Sequence, residues 1–100
     1  MSMAFTKGEI VLSLNGRDAG KLFCVVDTQD GFALVADGKG RKLATPKRKR
    51  EKHLKGVGTS AHPAILGLQR GEGVTDRALR CALAAFRESE QTDMEVNQFV

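Results

Sequence analysis

The chain contains no tryptophan and no tyrosine, and five phenylalanines supply all of its aromatic side chains. Phe23 and Phe32 lie in apolar runs typical of strands, so both are predicted to be part of a core. Few rings are then left on which unpaired bases could stack. If the protein binds nucleic acid, recognition of backbone and shape is expected.

Cysteine is also scarce. Cys24 and Cys81 are the only two cysteines, and each falls in an apolar pattern that predicts a small buried side chain. They form no close pair of the kind found in disulfide frameworks, and with His53 and His62 they give no usual zinc-ligand spacing. No disulfide framework and no metal site are expected.

Long apolar runs are missing as well. No stretch of 18 apolar residues occurs, which predicts that no helix spans a membrane. The first seven residues lack the apolar stretch of a secretory signal. We therefore expect a cytoplasmic protein without a membrane partner.

The sequence offers little for catalysis. It contains no nucleophile with an evident base, no glycine-rich loop with its lysine, and no defensible pair of carboxylates. A chain of 100 residues can bury one small core, which leaves little wall for a deep cleft. We expect a protein that is not an enzyme and uses no cofactor.

Positive charge is present, and it is unevenly distributed. Residues 1–55 carry 12 Lys or Arg and 6 Asp or Glu, whereas residues 56–100 carry 4 and 6. Residues 39–55 alone hold nine basic side chains and one acid, Glu51. Such a density repels itself unless an anion relieves it, and nucleic acid is the common intracellular polyanion.

Short apolar segments between turn signals predict a mainly β fold. Strands are expected at residues 9–14, 22–27, 32–36 and 41–44, with a fifth, edge strand at the end of the basic run. Turns are expected at Asn15-Gly16, Asp30-Gly31 and Asp37-Gly38. Alternation within these strands predicts a core of Ile10, Leu12, Phe23, Val25, Phe32, Leu34 and Leu43.

The second half of the chain predicts helices. Pro63 can open a short helix that ends near Gly71, and Thr75 is a good N-cap for an amphipathic helix to about Arg87. That helix should pack Leu79, Leu83 and Phe86 against the rest of the protein. The expected organisation is a barrel at residues 1–55, a linker at 56–73, and a helix with a fraying acidic tail at 74–100.

One loop has a distinctive composition. It reads Gly16-Arg17-Asp18-Ala19-Gly20-Lys21. The glycines permit positive φ, Asp18 can bond back to main-chain N–H groups, and Arg17 and Lys21 would flank a phosphate held by such groups. A plain glycine turn is the alternative, and the spacing alone does not decide between the two.

Gly-x-Asp-x-Gly followed by a hydrophobic strand through Val25 and Val26 resembles the KOW motif. The resemblance extends to the large-subunit ribosomal KOW proteins of the eukaryotic and archaeal fourteen-e type and to their short bacterial relatives. It rests on Leu34-Val35-Ala36-Asp37-Gly38, Arg41-Lys42-Leu43, Pro46-Lys47-Arg48-Lys49-Arg50, Lys52-His53-Leu54 and Thr75-Asp76-Arg77-Ala78-Leu79-Arg80. Residues 8–55 and 71–86 are covered, whereas residues 55–67 match no pattern of the family.

The resemblance implies a five-stranded SH3-like barrel that binds ribosomal RNA of the large subunit. Gly16, Asp18 and Gly20 would shape the motif loop. The candidate RNA contacts are Arg17, Lys21, Lys42, Lys47, Arg48, Lys49, Arg50 and Lys52. If about five of these charges neutralise phosphates, affinity should fall with salt at a log–log slope of about −3.5 to −4.5.

Two alternatives remain open from the sequence. The basic run can be a solvated, disordered loop, since such charge blocks often are. The barrel can instead be a protein–protein module of the transcription or translation machinery, with the C-terminal helix docking on ribosomal or other proteins. Salt-dependent RNA binding would favour the RNA-binding interpretation.

Overall fold

The computed structural model describes residues 5–98, with side chains as far as Ser89. The strands are β1 (Ile10–Ser13), β2 (Leu22–Gln29), β3 (Phe32–Ala36), β4 (Lys47–Arg50) and β5 (Leu54–Gly58). Two helices follow them, α1 (Pro63–Arg70) and α2 (Asp76–Gln98). The predicted class, a mainly β fold with C-terminal helices, is confirmed.

The strands form one antiparallel sheet in the order β4-β3-β2-β1-β5. The tight β2–β3 hairpin turns at Asp30 and Gly31, as predicted. Both residues have positive φ, at 43° and 84°, which is the backbone that a two-residue hairpin loop with the right twist requires.

A short 3₁₀ turn brings the two edges of the sheet together. β4 and β5 are the two edge strands, yet only Glu51–His53 separates them in the chain. The turn is held on both sides, because Glu51 N–H donates to the Gly31 carbonyl at 3.0 Å and Leu14 N–H donates to the His53 carbonyl at 2.9 Å. A flat sheet could not satisfy this connection, so the sheet curls into a small barrel-like shape.

Both faces of the curled sheet carry buried apolar side chains. Inside the curl lie Phe5, Val11, Phe23, Val25, Ala33, Val35 and Leu54. On the outer face lie Ile10, Cys24 and Ala36, which the helices cover with Ala64, Ile65, Leu79, Ala82 and Leu83. β2 is therefore buried on both faces over its first half, which accounts for its nearly continuous apolar sequence.

The structure corrects part of the predicted core. On β3 the side chains that face the barrel interior are Ala33 and Val35, while Phe32 and Leu34 are half-buried. All five residues of β3 are apolar, so their pattern does not define which face points inward, and a register shift between Val25 and Asp27 sets the pairing with β2.

Leu12 and Leu43 are also only half-buried. On β1 the inward side chain is that of Val11, next to an irregularity in the pairing with β5. Leu43 packs against the helix-covered cluster from a loop, outside the barrel interior.

The predicted fourth strand at residues 41–44 is wrong. Those residues belong to the β3–β4 loop, and the basic run itself forms β4 directly after Pro46. Leu43 N–H donates to the Asp76 carboxylate at 2.7 Å, so this backbone is bound to α2. The barrel also extends beyond its predicted end at residue 55, because Gly56 and Gly58 of β5 pair with β1.

Three of the four helix ends agree with prediction: α1 begins at Pro63 and ends at Gly71 in the left-handed conformation, and α2 begins after Thr75, whose Oγ1 accepts from Ala78 N–H at 3.1 Å. The His62 imidazole, which was not predicted as a cap, accepts from Ala64 N–H. α2 extends past the predicted end near Arg87 to Gln98. The side chains of the predicted fraying tail from Glu90 onward lie outside the described residues.

The two cysteines differ in environment. Cys24 is buried as predicted, and burial raises the pKa of its thiol to about 12. Cys81 is exposed, so its predicted core position is wrong. It lies within an apolar stretch of α2, but it occupies the solvent side of the helix, two residues from buried Leu79 and Leu83.

Truncation of Phe23 and of Phe32 should lower the free energy of unfolding by different amounts, because only Phe23 is fully buried. We expect Phe23→Ala to lower the free energy of unfolding by roughly 3–5 kcal/mol, because Phe23 is 1% exposed. Phe32→Ala should cost roughly half as much, since its ring is only partly removed from water. Urea unfolding of both variants measures the difference, and equal losses would contradict this assignment of the inner face.

Candidate nucleic-acid interface

The four residues of β4, Lys47–Arg50, are all basic, and the strand divides them between two faces. Lys47 is half-buried and Lys49 is 8% exposed, whereas Arg48 and Arg50 are exposed. This alternation follows from the two-residue period of a strand. Four candidate contacts that are consecutive in sequence therefore have two different environments.

The motif loop between β1 and β2 is a compact structure. Gly16–Asp18 form a 3₁₀ turn, and Gly16 and Gly20 have φ of 76° and 87°, so the predicted need for glycine is confirmed. The N–H groups of Ala19, Gly20 and Lys21 donate to carbonyls of Gly16, Ser13 and Asp18, respectively. These three N–H groups bond to the protein itself, so the predicted main-chain phosphate cradle cannot use them.

Asp18 holds the loop through its carboxylate. Lys47 Nζ donates to Asp18 Oδ2 at 2.5 Å, and Lys21 Nζ lies 3.9 Å from Asp18 Oδ1. The hydrogen bond from Lys47 holds the pKa of Asp18 below its ordinary value of 3.8, and the nearby lysine charges add to this effect. The partner of Asp18 is thus a distant lysine, where a main-chain N–H was predicted.

Lys49 supports the same loop from beneath. Its ammonium donates to Ser13 Oγ at 2.5 Å and to the Asn15 carbonyl at 3.0 Å. Ser13 is itself 1% exposed. Desolvation lowers the pKa of Lys49, and the charge of Lys47 acts in the same direction. Lys47 and Lys49 are occupied in fixing the motif loop to β4.

Arg48 and Arg50 form the outward face of β4 together with Phe32 of β3. The guanidinium carbon of Arg48 lies 3.9 Å from the centre of the Phe32 ring, and that of Arg50 lies 5.4 Å from it. Phe32 and Arg50 are paired across the strands. We call these three residues the arginine strip.

The remaining sequence-predicted contacts lie on three other segments of the chain. Arg17 and Lys21 are exposed on the motif loop, Lys42 is exposed on the β3–β4 loop, and Lys52 is exposed on the 3₁₀ turn after β4. Lys21 and Lys47, the first residue of β4, both contact Asp18. The motif loop and the basic run therefore lie together, as expected. Lys42 precedes Leu43, which binds α2, so it is on the helix side of the molecule.

Sequence reasoning missed Phe32 as a surface residue and Ser13 and Asn15 as partners of Lys49. A polar residue at Ser13, directly after three apolar ones in β1, was a usable signal, because a buried hydroxyl needs a partner. Phe32 gave no such signal, since its position depends on the register of β3.

Other site chemistries find no support in the part of the chain that is described. Residues 5–89, whose side chains are described, contain no group of three His, Cys, Asp or Glu that could hold a metal ion. Among the helices of residues 5–98, none is long and apolar enough to cross a bilayer.

No protein-family model matches the chain, and no curated protein is detectably similar to it. Its function is therefore inferred from its residues and their geometry.

The lowered pKa of Asp18 predicts a specific acid sensitivity. A carboxylate whose pKa is lowered by folding stabilises the fold above its ordinary value, and this stabilisation is lost as the pH falls through the lowered value. We expect Asp18→Asn to reduce the Tm at pH 7, and the difference from the parent to shrink below about pH 4. Thermal melts across pH measure it. Asp30→Asn, at an exposed hairpin turn, is the matched control. A difference that is constant with pH would contradict the Asp18–Lys47 pairing.

Proposed function

We propose that this chain is a non-catalytic RNA-binding protein of the KOW type that binds the backbone of ribosomal RNA, as a component or associate of the large ribosomal subunit in the cytoplasm. The observation that carries the proposal is the arginine strip: two exposed guanidinium groups fixed over one aromatic ring on a basic edge strand.

The strip suits a phosphate backbone for chemical reasons. A guanidinium offers a planar fork of donors that matches the oxygens of a phosphate, and it is weakly hydrated. The contact with Phe32 restricts the motion of Arg48 and Arg50 before any ligand arrives. Less conformational entropy is then lost on binding.

The charge around the strip supports the same proposal. Asp18 compensates part of the charge of Lys47, whereas the described part of the chain forms no salt bridge to Arg48 or Arg50 on the outward side. Lys52 extends the strip along the chain, and Arg17 and Lys21 lie on the adjoining motif loop. Phosphates placed along this surface would relieve the repulsion between these groups.

Basic residues on an edge strand also protect a sheet from pairing with other chains. Lysine alone would serve that purpose, and a charge fixed over an aromatic ring is not needed for it. The strip therefore favours ligand binding over simple protection of the edge.

The alternative function, docking of α2 on a protein partner, has less support. Within the part of α2 whose side chains are described, Leu79, Ala82 and Leu83 are buried against the chain's own sheet and α1. Phe86 packs against the same cluster. The apolar face of this part of α2, up to Phe86, is thus already covered by the chain itself.

Reversing the charge of the strip should abolish most binding. We expect Arg48→Glu/Arg50→Glu to bind purified large-subunit ribosomal RNA far more weakly than the parent in filter binding at low salt, because repulsion replaces attraction. Arg70→Glu/Arg77→Glu is the control, since it makes the same change in net charge at exposed helical positions. If both variants bind as the parent does, with the same salt slope, the basic strand is only a solvated face.

The two faces of β4 should respond differently to neutral substitution. Arg48→Met removes a proposed phosphate contact and should make the log–log salt slope shallower by about 0.7–0.9. Lys49→Met removes a buried support of the motif loop, so the slope should stay unchanged even if affinity falls. Titrations at four or more salt concentrations measure both slopes. An equal change in slope would instead indicate that Lys49 contacts a phosphate directly.

A further inference from the structure

A second positively charged surface lies away from the arginine strip, between α2 and the loop that follows β3. A cleft of about 150 Å³ is lined by Asp37 and Lys39 from the loop and by Arg80 and Arg87 from α2. A neighbouring depression shares Lys39 and Arg87 and adds Lys21 of the motif loop. We call these two connected depressions the α2 cleft.

The charge of the α2 cleft is positive by a wide margin. Four cationic side chains from three separate segments of the chain face one carboxylate, Asp37. That carboxylate is engaged locally, because its Oδ1 accepts from the main-chain N–H groups of Lys39 and Arg41, both at 2.9 Å. It therefore shapes the loop, and a concave surface concentrates the field of the cations around it.

The loop side of the cleft is fixed to the helix. Arg80 Nη1 donates to the Gly38 carbonyl at 2.7 Å, and Asp76 accepts from Leu43 N–H at 2.7 Å. Gly38 is buried with φ of 79°, and a Cβ there would collide with the carbonyl oxygen of Asp76. The backbone at Lys39 is thus held in place before any ligand binds, which reduces the entropy cost of binding.

The α2 cleft is continuous with the proposed RNA surface. Lys21, which lines the cleft, lies 3.9 Å from the carboxylate of Asp18, and that carboxylate is bonded to Lys47 at the start of β4. The cleft therefore adjoins the motif loop, whose exposed Arg17 and Lys21 belong to the proposed RNA surface.

We propose that the α2 cleft is a second phosphate-binding site for the RNA backbone, so that α2 is part of the RNA interface as well as a support of the barrel. The proposal rests on the proposed function, because it extends the surface of the same ligand. It assigns phosphate-binding roles to Lys39, which lies on the fixed loop, and to Arg87, which lies on α2.

Charge reversal in the cleft gives the first test. We expect Lys39→Glu/Arg87→Glu to weaken binding of purified large-subunit ribosomal RNA and to make the log–log salt slope shallower by about 1.4–1.8, the value for two lost phosphate contacts. Arg70→Glu/Arg77→Glu changes net charge equally and should keep nearly the parental slope. Melting curves verify folding, and Lys39→Ala/Arg87→Ala replaces the reversal if it unfolds the protein.

Photocrosslinking gives a second test, because long-range electrostatic effects do not produce a difference in crosslinking between neighbouring positions. Ala84 lines the cleft, whereas the adjacent Ala85 lies on another side of the helix, and both are exposed. A photoreactive amino acid at residue 84 should crosslink to the bound RNA much more strongly than one at residue 85. Equal or absent crosslinking at 84, with a parental salt slope in the cleft variant, would overturn the proposal.

The two proposals fail in different ways. If the variants of Arg48 and Arg50 lose binding while the cleft variant and residue 84 behave as their controls, RNA binding stands and the α2 cleft is not part of it. If the parent protein does not bind the RNA with a salt dependence, both proposals are wrong.

Discussion

The burial of β2 on both faces is the constraint on which the rest of the structure depends. Phe23 and Val25 face the inside of the curled sheet, and Cys24 between them faces the helices. A five-stranded sheet of this length could not leave Ile10, Cys24 and Ala36 in water without a large loss of hydrophobic stabilisation. The two helices are therefore an integral part of the fold. The same arrangement explains why α2 lies close enough to the β3–β4 loop to form a cleft with it.

Much of the fold could be predicted from local signals in the sequence. The turn dipeptide Asp30-Gly31, the helix-opening Pro63 and the N-cap Thr75 act over a few residues. Predictions based on them agree with the structure, because such signals do not depend on distant partners. The covered face of α2 was also predictable, since Leu79 and Leu83 repeat at helical spacing.

The errors occur where distant contacts decide the structure. The orientation of β3 depends on its register with β2, and the five apolar residues of β3 do not encode it. Residues 41–44 looked like a strand, but the Asp76 carboxylate binds the backbone of Leu43, 33 residues earlier. In the candidate site, the exposure of Arg17 and Arg48 was predictable from charge. The inward direction of Lys49 was not, because a buried lysine is rare and depends on acceptors provided by Ser13 and Asn15.

The pairing of the first and last strands of the barrel has a consequence for how such a fold can be used. Ile10 of β1 is opposite Gly58 of β5, so the chain enters and leaves the barrel at nearly the same point. The helices that follow Gly58 cover the outer face of the sheet. The barrel is therefore a transferable unit only together with these two helices.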